Sequence, residues 1–359
     1  MNFMKYLTEK IEALCLIIKK RRFDIILYKL LKGLTGKSLF SPLPFYLVIE
    51  PTNLCNLRCI ACPTGTNKLN RLARSMSLQE FKKIVDEVRS YIAHIDLWNL
   101  GEPFLHKDIL QMVRYATESG IRIRICTNGT FFKDIEYCKY VVKSGLYYLI
   151  ICLDGADHET YNKYRKGADF SAVIKGFELI YQAKKELKSR KPIVELQFIV
   201  MKHNEHQRQM MLEMSGKLHA DVYREKAVGI GFDGSDFQKV AKEIFPRDTS
   251  FNRNYVEKDG LFVNEVAVPN SCSSIEYYTV INSNGDVTPC CSDLASFHIM
   301  GNIFRDDLRD IWRNGKYQNL RRKIHADRKS LPVCGTCLDG RSNSFGKRTY
   351  VKTGPEPGG

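Results

Sequence analysis

Between residues 45 and 230 the apolar positions switch repeatedly between two patterns. Short continuous apolar runs alternate with stretches in which apolar residues return every three or four positions, as expected of fully buried strands and amphipathic helices. Strands are predicted at 45–50, 94–100, 121–126, 146–153, 193–201 and near 221–228. Helices fall between them at 77–91, 107–119, 134–144, 170–187 and 205–218. Ser77 and Glu80 form the S-x-x-E capping box that starts one helix, Gly120 stops another, and Asn128-Gly129 marks a turn. Successive strand-then-helix units predict an α/β fold around a parallel sheet, rolled or open, with its chemistry at the carboxyl ends of the strands.

Outside that region the texture changes. Residues 231–262 are rich in Gly, Asp, Asn and charge and are read as a linker or covering loop. Residues 263–340 are short segments with cysteine pairs and turns such as Asn284-Gly285-Asp286, a small domain in need of a metal staple. Residues 341–359 end in Gly-Pro-Glu-Pro-Gly-Gly and read as a mobile tail. In residues 1–44, Ile11, Leu14 and Ile18, then Phe23, Ile26, Leu27, Leu30, Leu31 and Leu34, recur at helical spacing around Lys19-Lys20-Arg21-Arg22. Such basic amphipathic helices either pack on the rest of the chain or lie on an anionic membrane.

Hydrophobic residues make up 44% of the 359 positions and aromatics 11%, enough for a real core. The 55 Lys and Arg exceed the 40 Asp and Glu by 15 charges, which suits an anionic partner. No uncharged stretch reaches the roughly 18 residues of a membrane span, and no secretory signal is recognisable, so a cytoplasmic location, with or without peripheral membrane contact, is expected. In such a chain twelve cysteines point to ligands rather than disulfides. Cys55, Cys59 and Cys62 form a tight triplet directly after the first strand, and Cys272, Cys290, Cys291, Cys334 and Cys337 crowd the last quarter. Three close thiolates can hold three irons of a [4Fe–4S] cube and leave the fourth open to a substrate; a zinc site would lack its fourth ligand nearby.

Cys-x3-Cys-x2-Cys after strand one, followed by Gly101-Glu102-Pro103 after strand two, resembles the radical S-adenosylmethionine (radical SAM) superfamily. The resemblance implies a partial (β/α)6 barrel in which Cys55, Cys59 and Cys62 hold the radical [4Fe–4S] cluster. Its open iron chelates the amino and carboxylate groups of SAM, and Gly101, Glu102 and Pro103 line that amino group. Softer matches are Thr127-Asn128-Gly129 and Cys152-Leu153-Asp154-Gly155, with Asn128 and Cys152 at SAM-binding positions. Cys152 replaces a serine that commonly touches the ribose, and Ala61 replaces an aromatic often found near the adenine. Arg165 matches a frequent partner of the SAM carboxylate and is otherwise an ordinary surface arginine.

The later cysteines resemble a SPASM or Twitch extension: Cys272, Gly285 and Cys290 follow its Cys-x(9–15)-Gly-x4-Cys pattern, and Cys334-Gly335-Thr336-Cys337 supplies the later Cys-x2-Cys. This implies Cys272, Cys290, Cys334 and Cys337 as ligands of one auxiliary [4Fe–4S] cluster, with Cys291 left over; a zinc ribbon on the same four is the competing reading. The implied enzyme is an oxidoreductase that cleaves SAM, abstracts a substrate hydrogen and passes the second electron to the auxiliary cluster. Its substrate would be a polar, anionic or lipid-linked, sugar- or cyclitol-like small molecule, with flavodoxin or ferredoxin as external electron donor and no specific nucleic acid partner. Lys202 and Arg224, near strand ends, are the candidate bases. The alternatives are a peptide or protein maturase or epimerase, a cyclic pyranopterin synthase-like enzyme, and a non-catalytic iron–sulfur or zinc protein.

Overall fold

A computed structural model describes residues 11–351 apart from 13, 36–39, 254, 265–267, 336 and 338–347. Six parallel strands, β1 (Tyr46–Ile49), β2 (His94–Asp96), β3 (Arg122–Thr127), β4 (Tyr148–Cys152), β5 (Ile193–Val200) and β6 (Val222–Ala227), lie side by side in chain order. Helices α2 (Leu78–Val88), α3 (Ile109–Glu118), α4 (Ile135–Lys143), α6 (Phe170–Glu186) and α7 (Arg208–Lys217) connect them. The helices cover one face of the sheet, where Leu47, Ile95, Ile123, Ile125, Leu149, Ile151, Leu196 and Phe198 are fully buried in one apolar cluster. The opposite face carries charge, and the register fixes which side chains share it: Val48 pairs with Asp96, Asp96 with Arg124, and Gln197 with Arg224. Each strand therefore alternates between an oily back and a polar lumen.

The expected capping box is present, with Ser77 Oγ accepting from the Glu80 amide and the Glu80 carboxylate accepting from the Ser77 amide. Gly120 and Gly129 both have positive φ, as their turns require. Four expectations need correction. Strand β2 stops at Asp96 rather than 100, because the Leu100 amide turns inward to Glu50. A short helix, α5 (His158–Tyr164), capped by Asp157, stands where no element was expected. The expected linker is folded: it holds α8 (Gly234–Ile244) and the start of an antiparallel hairpin of β7 (Tyr255–Lys258) and β8 (Leu261–Asn264). Part of the expected tail, β12 (Arg348–Tyr350), pairs antiparallel with β6, and Val351 follows it; the rest of it lies outside the described residues.

The C-terminal segment extends the barrel sheet rather than standing apart from it. Strand β9 (Tyr278–Ile281) lies parallel to β1, and β10 (Asp286–Thr288) and β11 (Gly301–Asn302) continue antiparallel beyond it. Helices α10 (Leu308–Arg313) and α11 (Gly315–Asp327) bury Trp312 and Tyr317 beside them; α9 (Ser274–Tyr277) leads into β9. At the N-terminus, residues 14–19 are helical and α1 (Phe23–Thr35) follows. This pair closes the amino end of the barrel. Arg22 donates to the carbonyls of Leu43, Pro44 and Tyr91, and Glu12 receives Arg122 from the start of β3.

Candidate active site

The cysteine triplet occupies the loop leaving β1, and backbone contacts shape this loop before any metal is considered. The Arg58 amide donates to Lys166 O, Cys62 to Cys59 O and Thr66 to Cys62 O. Gly65 packs so closely that a β-carbon there would stand 2.6 Å from the nitrogen and oxygen of Cys59. Gly101, with φ +80°, presses against the carbonyls of Thr52 and Leu54, where a β-carbon has no room. The loops after β1 and β2 are thereby locked together, and the Glu102 amide adds a 2.8 Å bond to Leu54 O.

The Glu102 carboxylate does something other than its motif suggests. It is buried and accepts from the Thr127 hydroxyl at 2.7 Å, the Asn128 amide at 2.8 Å and the Phe104 amide at 3.0 Å, so it clamps the ends of β2 and β3. The backbone of the Gly-Glu-Pro segment and one remaining acceptor site on Glu102 Oε2 are left to face an ammonium. Asn128 is similarly engaged, donating to Asn56 Oδ1 at 2.9 Å and receiving Thr130. Arg165 is no surface charge. Its Nε bonds Asp154 at 2.6 Å, and the fully buried Asp154 in turn receives the Ile199 amide. The guanidinium is felt electrostatically by Cys55, Cys59 and Cys152.

Burial pushes the Cys55 thiol up and the Cys59 thiol up to about 12, with Arg165 opposing the shift in both. Without metal these thiols stay protonated; the positive charge of bound iron is what ionises them. Three thiols gathered on one loop, a glycine cradle beside them and a fixed cation facing them fit an iron cube and the amino-acid end of SAM.

Beneath the loop lies a charged lumen. Arg124 makes a bidentate pair with Asp96 at 2.6 and 2.7 Å, and Tyr46 also donates to Asp96. Arg224 grips Glu195 at 2.6 and 3.1 Å, joined by the Tyr148 hydroxyl at 2.5 Å. The first set ties β1, β2 and β3, the second β4, β5 and β6. Each buried carboxylate is matched by an arginine and a hydroxyl, as buried charge demands. This removes Arg224 as a base, and Lys202 is bonded to Lys242 O away from the lumen. Toward the rim, the Cys126 and Cys152 sulfurs lie 3.5 Å apart, and Gln197 donates to Cys152 at 3.3 Å. Cys152 thus bonds neighbouring side chains rather than standing free. Its hydrogen bond with Cys126, together with burial, raises the Cys126 pKa. Lys226 sits on the same face of β6, close enough to influence both sulfurs, and among the described residues it has no hydrogen-bond or ion-pair partner. The sequence pattern alone did not single it out.

The auxiliary cysteines also converge. Cys290 feels Cys291, Cys337 and Cys272, and Cys334 feels Cys272 and Cys337; burial raises both thiols, Cys334 to about 11. What ties the Cys272 and Cys334–Cys337 segments together is Arg328, which sequence reasoning missed. Buried to 2% exposure, it donates to Ser271 O at 2.5 Å, Cys337 O at 3.0 Å and Cys334 O at 3.2 Å. Cys291 is turned aside to the Tyr278 hydroxyl. Among the described residues no group of three or more Cys, His, Asp or Glu is arranged around a single ion.

The two cysteine groups border one loop. The Gly231 amide donates to Ala61 O inside the triplet loop, and a β-carbon on Gly231 would run into Pro63 and Leu294. A cavity of about 150 Å³ beside it is lined by Phe232, Arg253, Phe297 and Cys337.

Comparison with known proteins converges on these regions. The family model of the radical SAM superfamily matches residues 49–214, and that of the SPASM iron–sulfur cluster-binding domain matches residues 272–338. An AdoMet-dependent heme synthase of Methanosarcina barkeri is 24% identical over 324 residues, 82% of this chain and 88% of that protein. A mycofactocin maturase of Mycolicibacterium smegmatis is 23% identical over 314 residues, 82% of this chain and 75% of its own length. The crystal structure of BtrN in complex with AdoMet and 2-DOIA superposes with a TM-score of 0.54 and 19% identity over 84% of this chain and 95% of BtrN, a likeness of fold. The first match opens at the end of β1, where the triplet loop begins, and the second spans all the auxiliary cysteines: the chain belongs to the radical SAM superfamily and is a radical SAM enzyme with a C-terminal SPASM domain.

Proposed function

We propose that this enzyme removes a hydrogen atom from an anionic small molecule bound in the lumen and completes a net oxidation by passing an electron to its auxiliary cluster and a proton to water. Cys55, Cys59 and Cys62 hold the radical cluster, and Cys272, Cys290, Cys334 and Cys337 the auxiliary one. When bound, cluster and SAM supply a 5′-deoxyadenosyl radical after reduction by an external donor such as flavodoxin or ferredoxin. The protein's own part is positioning. The backbone of Gly101, Glu102 and Pro103 faces the SAM ammonium, Arg165, aimed by Asp154, faces its carboxylate, and Asn128 and Cys152 border the nucleoside.

The observation that carries the substrate reading is Lys226, a lumen cation without a partner beside otherwise neutralised charges. A carboxylate or phosphate of the substrate completes it, since a half-buried ammonium gains most from a charged acceptor. Four thiols for the auxiliary cube leave no iron for substrate, which favours electron transfer over direct ligation. A sugar- or cyclitol-like substrate is the first reading. A second, a cofactor precursor or modified peptide, is favoured by relatives named heme synthase and mycofactocin maturase over 82% of the chain. On either reading, a carboxylate or phosphate on the substrate is what Lys226 would bind.

Anaerobic reconstitution tests the assignment. The wild type is expected to hold about eight irons, two cubes, and to make 5′-deoxyadenosine from SAM. Replacing Cys55, Cys59 and Cys62 by Ala should leave about four irons and no 5′-deoxyadenosine. Undiminished SAM cleavage in that variant contradicts the proposal.

A further inference from the structure

Helix α1 presents two apolar faces, and the protein uses only one. Inward, Ile25 and Tyr28 are 3% and 1% exposed, and the Tyr28 hydroxyl and Lys32 both reach Glu276 of the C-terminal segment. Outward, Phe23, Ile26, Leu27, Leu30 and Leu34 run at spacings of three and four along the helix and are 39–75% exposed. The preceding helical residues continue the stripe through Ile18. Nineteen large apolar side chains stand exposed among the described residues, and eight of them fall between 11 and 34. That concentration distinguishes the patch from the scattered apolar residues normal on any surface.

We infer that this face docks on an anionic lipid surface. Charge selects the occupant. The exposed cations Lys19, Arg21 and Lys29 border the stripe, and the first forty residues hold nine Lys and Arg against three acids. An apolar stripe edged by cations is the form of a helix lying in the interface of an acidic bilayer, where each cation near the surface adds to binding. A second copy packed on the same face would oppose like charges instead. Among the described residues no helix is long and apolar enough to cross a membrane, so the contact is peripheral.

The helices seal the amino end of the barrel, while the cysteine triplet lies at the carboxyl ends of the strands. Lipid docking therefore turns the reactive mouth away from the bilayer. The membrane is an anchor, and substrate enters from the aqueous side. This inference is independent of the substrate proposed above.

The full chain, reconstituted with iron, is sedimented with vesicles of phosphatidylcholine alone or with about 30% phosphatidylglycerol. It is expected to pellet with the anionic vesicles only, and less as salt rises to about 0.5 M. Phe23→Ser with Leu30→Ser should lower pelleting at least about tenfold while SAM cleavage persists. Should that pair lose SAM cleavage through misfolding, Lys19→Gln with Arg21→Gln and Lys29→Gln decides, with a loss of about tenfold again expected. Wild-type binding by the charge variant, equal pelleting on both vesicles, or no pelleting on either overturns the inference. So does a dimer, seen by light scattering, that the apolar substitutions dissolve.

Discussion

The two cysteine groups differ in what holds them. The triplet loop is set by backbone: amide bonds within it, a glycine, Gly65, that leaves no room for a β-carbon against Cys59, and a second glycine wedged on the carbonyls of Thr52 and Leu54. The auxiliary group comes from three separate chain segments, and one side chain, Arg328, bridges two of them through the carbonyls of Ser271, Cys334 and Cys337. A loop shaped by backbone sterics resists change everywhere except at its glycines. A group tied by one arginine depends on that arginine. The difference predicts that each site can be disabled without the other.

Gly65→Ala should produce the larger effect. Its β-carbon drives against the Cys59 backbone, and a displacement near 1 Å at such a site costs about a hundredfold in rate. SAM cleavage is expected to fall by about that factor while auxiliary iron stays bound, read by 5′-deoxyadenosine formation and iron content. Arg328→Met is the mirror image. Losing charged hydrogen bonds to buried carbonyls costs about 1.5–3 kcal/mol each way it is measured. The variant should lose about half its iron and keep SAM cleavage. Loss of both activities together in either variant would mean that the two groups are one cooperative unit. Lys226→Met sharpens the comparison least, since it touches neither cysteine group. It should raise KM for the true substrate about tenfold, the worth of one charge-assisted hydrogen bond, and leave substrate-free SAM cleavage unchanged. An unaltered KM removes the anionic-substrate reading.

What was legible in the chain follows the range of the interactions. Local signals were read well: the Ser77–Glu80 capping box, the positive-φ glycines, six strands with their apolar backs, and the triplet immediately after β1. Interactions spanning many residues were not. Strand β9 joins β1 across more than two hundred residues, and nothing in its four positions marks that partner. Segment 231–262 looked irregular because the apolar face of α8 is narrow; only Ala241 and Ile244 are buried along it. Among charged residues, sequence weighed Arg165 evenly between ligand and surface, and Asp154 decides that it points inward. Arg224 and Lys226 are two positions apart on one strand face. One is consumed by Glu195 and the other has no partner, a distinction that exists only once β5 lies beside β6. Glu102 was matched to SAM through its motif, and nothing in the motif signals that its carboxylate also holds Thr127, Asn128 and Phe104.

The central claim, that one cysteine group starts the radical reaction and the other ends it by accepting an electron, is tested most directly by Cys334→Ala with Cys337→Ala. The measurement is the ratio of oxidised product to 5′-deoxyadenosine, made with the true substrate under a chemical reductant. The account predicts continued 5′-deoxyadenosine formation with oxidised product reduced to background. Oxidised product at the wild-type ratio would contradict it and make the auxiliary group a structural staple.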